Sequence, residues 1–386
     1  MDLEAAKTRV QEEVDRRADL LLEVSHRIHG HPELVFEERF AADVLASALG
    51  TEAGVYDLDT AFEARYGAEG PTVAVLCEYD ALPGIGHGCG HNVIAAAGLG
   101  AGLAAGALAE EAGGRLVVLG TPAEEGGGGK ILMGERGAFE GVDAALMVHP
   151  AGSDLTEAAV IAIATWRVEY FGRGAHAAAA PDQGRNALDA AVLGYNAVAA
   201  LRQHIAPTDR IHGVFTKGGD KPNIVPDHTV AEWYVRSASV AGLQILKQRV
   251  LACLEGGAAA AGCRLEVHPT CPEYSDLQTN PVLIDLYRAN SAALGRPVPE
   301  PTPATRVLAS TDMGNVSYLV PSIHPMIAVA PPDVALHTAE FARWAASADG
   351  DQAVLDGAKA MAMTVVDLWL AAGAVEKVRA AFGSGP

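Results

Sequence analysis

The chain has 386 residues, 49% of them hydrophobic and 20% charged, which suits a soluble globular enzyme of two or three domains. A formal net charge of −20 argues against nucleic acid or an anionic membrane surface as partner. Cysteines at 77, 89, 253, 263 and 271 are odd in number and form no C-x-x-C pair, and the acidic start Met1-Asp2-Leu3-Glu4 has no signal-peptide pattern, so a reduced, cytoplasmic protein is expected.

Residues 2–29 show helical periodicity, and 37–49 reads as a second helix stopped by Gly50. The apolar run 73–77 is a predicted buried strand. It leads through Glu78-Tyr79-Asp80 and a loop with glycines at 84, 86, 88 and 90 into an Ala/Gly-rich helix from Asn92. Arg115–Gly120 is a second such strand, running into Thr121-Pro122-Ala123-Glu124-Glu125, four glycines and a short helix near Ile131. A third, 143–148, ends at His149-Pro150. Strand, turn and helix in this repeated order predict an α/β fold: a mixed, mostly parallel sheet flanked by helices, with its site at the strands' C-terminal ends.

From about residue 161 the texture changes. An alternating strand over 165–171, an amphipathic helix over 186–204, a strand over 230–235, a helix over 241–261 and a strand over 264–267 predict an inserted, ferredoxin-like α+β domain. Helical and strand signals resume at Pro281 and end in one long helix over 352–382. The expected division is therefore a catalytic domain of 1–163 and 269–386 and a smaller domain of 164–268.

The candidate chemistry lies on the turns. Cys89, His91, Glu125, His149 and His337 are metal-ligating residue types, with Glu78, Asp80 and Glu124 close by in sequence. A single catalytic zinc takes three protein ligands and keeps one position open, so this set suits two metals sharing a bridging group. In the pair Glu124-Glu125 one carboxylate can ligate while its neighbour stays free as a general base. Taken singly, the loop also reads as a flexible Gly-rich turn holding a buried Cys and a surface His, and Glu-Glu as a solvated turn. Their joint placement at strand ends is what points to a metal centre. Gly98-Leu99-Gly100-Ala101-Gly102-Leu103 fails as a dinucleotide loop, because Leu103 takes the place of the third glycine and no strand directly precedes it; close helix packing explains it better. Gly129-Lys130 fails as a phosphate loop, because Ile131 stands where Ser or Thr is needed.

Glu78-Tyr79-Asp80-Ala81-Leu82-Pro83, Gly88-Cys89-Gly90-His91-Asn92, Pro122-Ala123-Glu124-Glu125-Gly126 and Val148-His149-Pro150 resemble the aminoacylase/carboxypeptidase family of dimetal peptidases, in the Cys-Gly-His form of its amidohydrolase branch. Gly172-Arg173-Gly174-Ala175-His176, Asn223-Ile224-Val225-Pro226 and Ser310-Thr311-Asp312-Met313-Gly314-Asn315 are similar to the members acting on aminobenzoyl-glutamate and on β-alanyl dipeptides. The resemblance implies Cys89, His91, Glu125, His149 and His337 as ligands of two divalent ions, zinc or manganese. It further implies Glu124 as general base, Asp80 as the carboxylate orienting a ligand, His176 as an oxyanion donor acting across a dimer, and Asn223 and Arg236 as substrate contacts. The small domain would be a lid and dimerisation domain. Glu78 stands where the peptidase branch has a ligating His, so that role is not carried over, and His87 is expected to be supporting or structural. The implied activity is metal-dependent hydrolysis of the amide bond of a small N-acyl-amino acid, an aminobenzoyl-glutamate-like compound or a dipeptide by a homodimer. The alternatives are a β-alanyl or other dipeptidase and, in another class, a non-catalytic metal- or ligand-binding relative.

Overall fold

The Asp2 carboxylate accepts from the Ala5 amide at 3.1 Å and starts α1 (Leu3–Arg16). Arg17 departs from helical geometry, so the stretch expected as one helix is two, α1 and α2 (Ala18–His29). After α3 (Arg39–Leu49) come β1 (Phe62–Tyr66), β2 (Thr72–Cys77), α4 (His91–Gly106), β3 (Arg115–Gly120), α5 (Gly129–Glu135), β4 (Ala144–Leu146) and β5 (His149–Ala151). The sequence pattern does not mark β1, whose Glu63 and Arg65 interrupt an apolar run on an edge strand. The computed structural model describes residues 1–302 and 308–383. These fall into two units, one formed by residues up to Ala159 together with those from Leu277 on, the other by Val160–Asp276.

The second unit contains β6 (Ala162–Phe171), α6 (Ala187–Leu201), β7 (Arg210–Lys217), β8 (His228–Ser237), α7 (Val240–Ala261) and β9 (Arg264–Pro269). Its strands form one sheet in the order β9-β6-β8-β7, each neighbour antiparallel. Trp166, Tyr170, Trp233, Leu246, Val250 and Leu254 belong to a core of its own. The unit is longer than the 164–268 read from sequence, because β6 begins at Ala162 and Ile163 exchanges backbone hydrogen bonds with Tyr274.

In the first unit the chain resumes with α8 (Pro281–Ala293), β10 (Ser322–Ile323), β11 (Met326–Ala328), α9 (Ala348–Leu370) and α10 (Ala374–Ala381). The long helix expected over 352–382 is two helices meeting at a 102° bend, where Gly373 takes φ 73°. The sheet order is β1-β3-β2-β4-β10, with β1 antiparallel to β3 and the β3–β2, β2–β4 and β4–β10 pairings parallel. Alternate residues of β2 and β3 face opposite cores. Val73, Val75, Leu116 and Val118 join α4 and α9 on one face, while Leu76, Val117 and Leu119 join Met133 and Met313 on the other. Cys77 lies opposite Gly120 and Val75 opposite Leu146, so the turns after β2, β3 and β4 leave the sheet side by side.

Helix α4 is buried almost all round, and its glycines are packing positions, in keeping with the rejection of a dinucleotide loop. A Cβ at Gly98 would lie 2.6 Å from Cys77 Sγ and 2.8 Å from the Leu76 carbonyl oxygen, and one at Gly102 would lie 2.6 Å from Val118 Cγ2. Gly98→Ala should therefore push α4 off the sheet and lower stability by about 1–3 kcal/mol. Urea denaturation read by circular dichroism checks this; an unchanged midpoint would rule out the close approach.

Candidate metal centre

The turn after β2 carries Glu78, Asp80 and Cys89, and His91 opens α4 directly after it; the turn after β3 carries Glu124 and Glu125; and His149 opens β5 just beyond β4. Gly90 makes the tight spacing of Cys89 and His91 possible. Its φ is 78°, and a Cβ there would come within 2.6 Å of Pro150 Cγ. His337 arrives from the returning segment in left-handed backbone (φ 62°), its amide donating to the Gly88 carbonyl at 2.9 Å. All five predicted ligands converge. Cys89, His91 and His149 offer donor atoms within 4.8 Å of one another, as do Cys89, Glu125 and His337, and also Glu78, His91 and Glu124.

The imidazoles are oriented from behind. His91 Nδ1 is 3.0 Å from Asp80 Oδ1, which turns Nε2 toward the carboxylates, 3.6 Å from Glu78 and 3.9 Å from both Glu124 and Glu125. His149 Nδ1 donates to its neighbour's carbonyl, Pro150 O, at 2.8 Å and presents Nε2 to Cys89 Sγ at 3.5 Å. His337 Nε2 lies 3.5 Å from Glu125 Oε1. Asp80 also accepts from the Glu125 amide at 2.9 Å, so one carboxylate fixes both a histidine and the Glu-Glu turn. Its burial would raise its pKa, but the charge and hydrogen bond of His91, with the Glu125 amide and Lys130, outweigh this and hold it below the usual range.

The donor set fits divalent metal. His91 Nε2, Glu78 Oε2 and Glu125 Oε1 are buried with no hydrogen-bond partner, and each faces the cluster. Burial, then the charges of Glu78 and Glu125, push the Glu124 carboxyl well up. Burial and the charge of Glu125 do the same to the Cys89 thiol. Burial, then His91, bring His149 down to about 4. Cations placed among these groups would reverse the first two shifts and favour the neutral imidazole, the form that ligates.

Several members have no clear signal in the sequence. Lys130, which there only ends a failed phosphate-loop pattern, is fully buried and ion-paired to Glu78 and, at 2.8 Å, to Asp312. Its backbone amide also donates to Asp312 at 2.9 Å. Glu38 accepts from the Ala123 amide at 2.9 Å, and His324 packs its ring 5.2 Å from that of His149. His87 is buried, and its Nε2 lies 3.1 Å from the Ile28 carbonyl of α2.

His176, Asn223 and Arg236 belong to the other unit. His176 is exposed, and its Nδ1 accepts from the amides of Ala178 and Ala179 at 3.3 and 3.1 Å, which places the ring proton on Nε2. Asn223 lies beside it, its carbonyl accepting from the Ala177 amide at 3.1 Å. Arg236 sits apart from that pair in the sequence of the unit, half-buried on β8 with its guanidinium 5.8 Å from the Tyr234 ring centroid.

Lys130→Met would remove the ammonium paired to Asp312 and leave Glu78 with the His91 imidazole, and should cost about 3–5 kcal/mol at neutral pH. Burial already raises the Asp312 carboxyl to about 6 with Lys130 present, so the folded variant would bind more protons than the unfolded chain and the deficit should shrink as pH falls from 8 to 5. Denaturant midpoints across that range check both points; a pH-independent deficit would contradict the ion-pair account.

Residues 74–365 match the family model for peptidase family M20/M25/M40. The Xaa-Arg dipeptidase of Mus musculus is 38% identical, with 99% of this chain and 93% of that protein covered. One of the subunits of the p-aminobenzoyl-glutamate hydrolase of Escherichia coli K12 is 31% identical, with 92% and 90% covered. Among solved structures, a dinuclear metal-binding M20 peptidase of Bacillus subtilis superposes with a TM-score of 0.70 at 19% identity, covering 91% of this chain and 98% of that one, a likeness of fold. A match over most of the chain, joined to full-length relatives above 30% identity, establishes that the chain belongs to peptidase family M20/M25/M40 and is a hydrolase of amide bonds.

Proposed function

We propose that the chain is a two-metal dipeptidase in which Cys89, His91, Glu125, His149 and His337 hold a pair of zinc or manganese ions and Glu124 is the general base. The observation that carries this is the convergence of three strand-end turns on buried donor atoms without hydrogen-bond partners. Ions held there would polarise the substrate carbonyl and make water easier to deprotonate. Glu124, beside the ligating Glu125, takes the proton of the attacking water and delivers it to the leaving amine. Asp80 keeps His91 and the Glu-Glu turn in place.

The preferred substrate is a dipeptide with a basic C-terminal residue. Support comes from the higher identity to an Xaa-Arg dipeptidase than to an aminobenzoyl-glutamate hydrolase, and from the net charge of −20. The unit Val160–Asp276 is the lid and dimerisation domain. Its β-α-β-β-α-β order and the exposed Val214 and Phe215 on edge strand β7 support this reading. His176 Nε2–H donates to the oxyanion in the partner's site, and Asn223 and Arg236 hold substrate carbonyl or carboxylate groups. No single helix among the described residues is long and apolar enough to cross a membrane, and the described cysteines are all free, in keeping with a cytoplasmic enzyme.

Two outcomes are expected. On a panel of Xaa-Arg and β-alanyl dipeptides and aminobenzoyl-glutamate, with zinc or manganese added, Glu124→Gln should keep two ions per chain and lose roughly 10²–10⁴-fold in kcat. Near-normal turnover with metal retained would remove Glu124 as the base. His176→Ala and Glu124→Gln should each be nearly inactive alone. After equimolar subunit exchange, about half of the dimers are mixed and one site in each has both groups, so about a quarter of all sites should recover. Verified exchange without recovery would mean that His176 serves its own chain or none.

A further inference from the structure

Glu38 is completely buried and lies directly before α3, yet its side chain makes no cap to that helix. Glu33 does that instead, its two oxygens accepting from the Phe40 and Ala41 amides at 3.0 Å each. Glu38 instead reaches across 85 positions of sequence. Its Oε1 accepts from the amides of Phe36 and Ala123, both at 2.9 Å, and its Oε2 from the Thr60 hydroxyl at 3.1 Å.

Ala123 is no ordinary recipient of such help. It is buried, immediately precedes Glu124, and holds φ 63°, a left-handed backbone that costs an alanine about 1–2 kcal/mol. Such a conformation persists only where its surroundings over-determine it. Three bonds do so here: the amide to Glu38, and the carbonyl accepting from the Gly127 and Gly128 amides at 3.0 and 2.8 Å. The backbone angles of residue 123 set the direction in which residue 124 leaves, so the bond from Glu38 aims the Glu124 side chain.

The surrounding segment repeats the pattern. The Glu33 carbonyl accepts from the Ala81 amide at 2.8 Å, next to Asp80. The Phe36 ring closes over Gly127, where a Cβ would come within 2.5 Å of Cε2. Thr60, the third partner of Glu38, has its carbonyl bonded by the Tyr79 hydroxyl at 2.5 Å, on the other side of Asp80. One short stretch between α2 and α3 therefore grips both turns that carry the predicted base and its neighbours.

We propose that Glu38 is a positioning residue for the reaction: it locks Ala123 in left-handed backbone and so aims Glu124 at the water it deprotonates. The proposal rests on Glu124 being the base. It goes beyond the ligand and base assignments, because Glu38 is outside the three donor groups and acts through the Ala123 backbone.

The test compares four variants by kcat, KM, metal content and denaturant midpoint. Glu38→Gln keeps an oxygen for the two amides and an NH₂ that can donate to Thr60, so kcat should stay within about threefold of wild type. Glu38→Ala should lose about a hundredfold in kcat, the scale of an ångström's misplacement, with KM and two bound ions unchanged. Where Glu38→Ala fails to fold, Glu38→Asp serves in its place: it keeps the charge but falls short of Ala123, and kcat should drop about tenfold. Glycine adopts left-handed backbone without strain, so in an Ala123→Gly background the kcat penalty of the Glu38 variant should shrink several-fold. A residue that served only global stability would show no such rescue. A folded Glu38→Ala or Glu38→Asp enzyme with kcat within twofold of wild type, or a penalty undiminished by Ala123→Gly, would overturn the proposal. Glu124→Gln measured alongside separates the cases, since its near-normal turnover would sink the base assignment whatever Glu38 does.

Discussion

Parallel pairing sets β2, β3 and β4 side by side, with Cys77 opposite Gly120 and Val75 opposite Leu146, and the centre depends on this common level. Each strand then gives way to a turn rich in glycine or polar residues, where backbone can bend toward a shared point. The cores on both faces lock the register, because a slip of one residue would exchange Val73 and Val75 with Ala74 and Leu76 between them. Close contact of α4 with β2 and β3 adds a second lock, since His91 begins the helix whose glycines lie against Cys77 and Val118. Placement of the donors is thus a property of the whole sheet.

Charge is the complementary constraint. Among the described residues, Glu78, Asp80, Glu124 and Asp312 are buried with the ammonium of Lys130 and the imidazole of His91. A dry interior does not tolerate such an excess of carboxylates unless protons or metal ions supply the balance. The upward pull on the Glu124 carboxyl expresses that imbalance. Ions bound at the assembled turns would stabilise the arrangement that assembles them, and so would link metal affinity to folding stability.

Much of this is legible in sequence where local pattern and chemistry coincide. Arg115–Gly120 is strand because it is an apolar run stopped by a turn, and the Cys89–His91 and Glu124–Glu125 pairs declare themselves by residue type. What stays hidden depends on distance or on geometry. Glu38 and Lys130 look like surface charges until the fold brings Ala123, and Glu78 with Asp312, beside them. The edge strands β1 and β7 lack a clean apolar alternation because solvent or charge occupies one flank. His149 reads as a turn residue, yet it opens β5 through pairing with Met326, a contact with a segment 177 positions further along the chain. The bend at Gly373 escapes notice because alanines flank the glycine and continue the helical composition through it.

The first unit is assembled from both ends of the chain. Gly100 of α4 packs against Ala358 of α9, and β4 completes its pairing only with Ser322–Ile323. On the ribosome, the strands and glycine-lined helix of the N-terminal part are made long before the helix that covers them. Val160–Asp276, by contrast, is continuous and holds its own core. The order in which the units can close therefore departs from the order of synthesis: the inserted unit, continuous in the chain, is complete before the first, whose α4 gains its cover only once α9 has emerged.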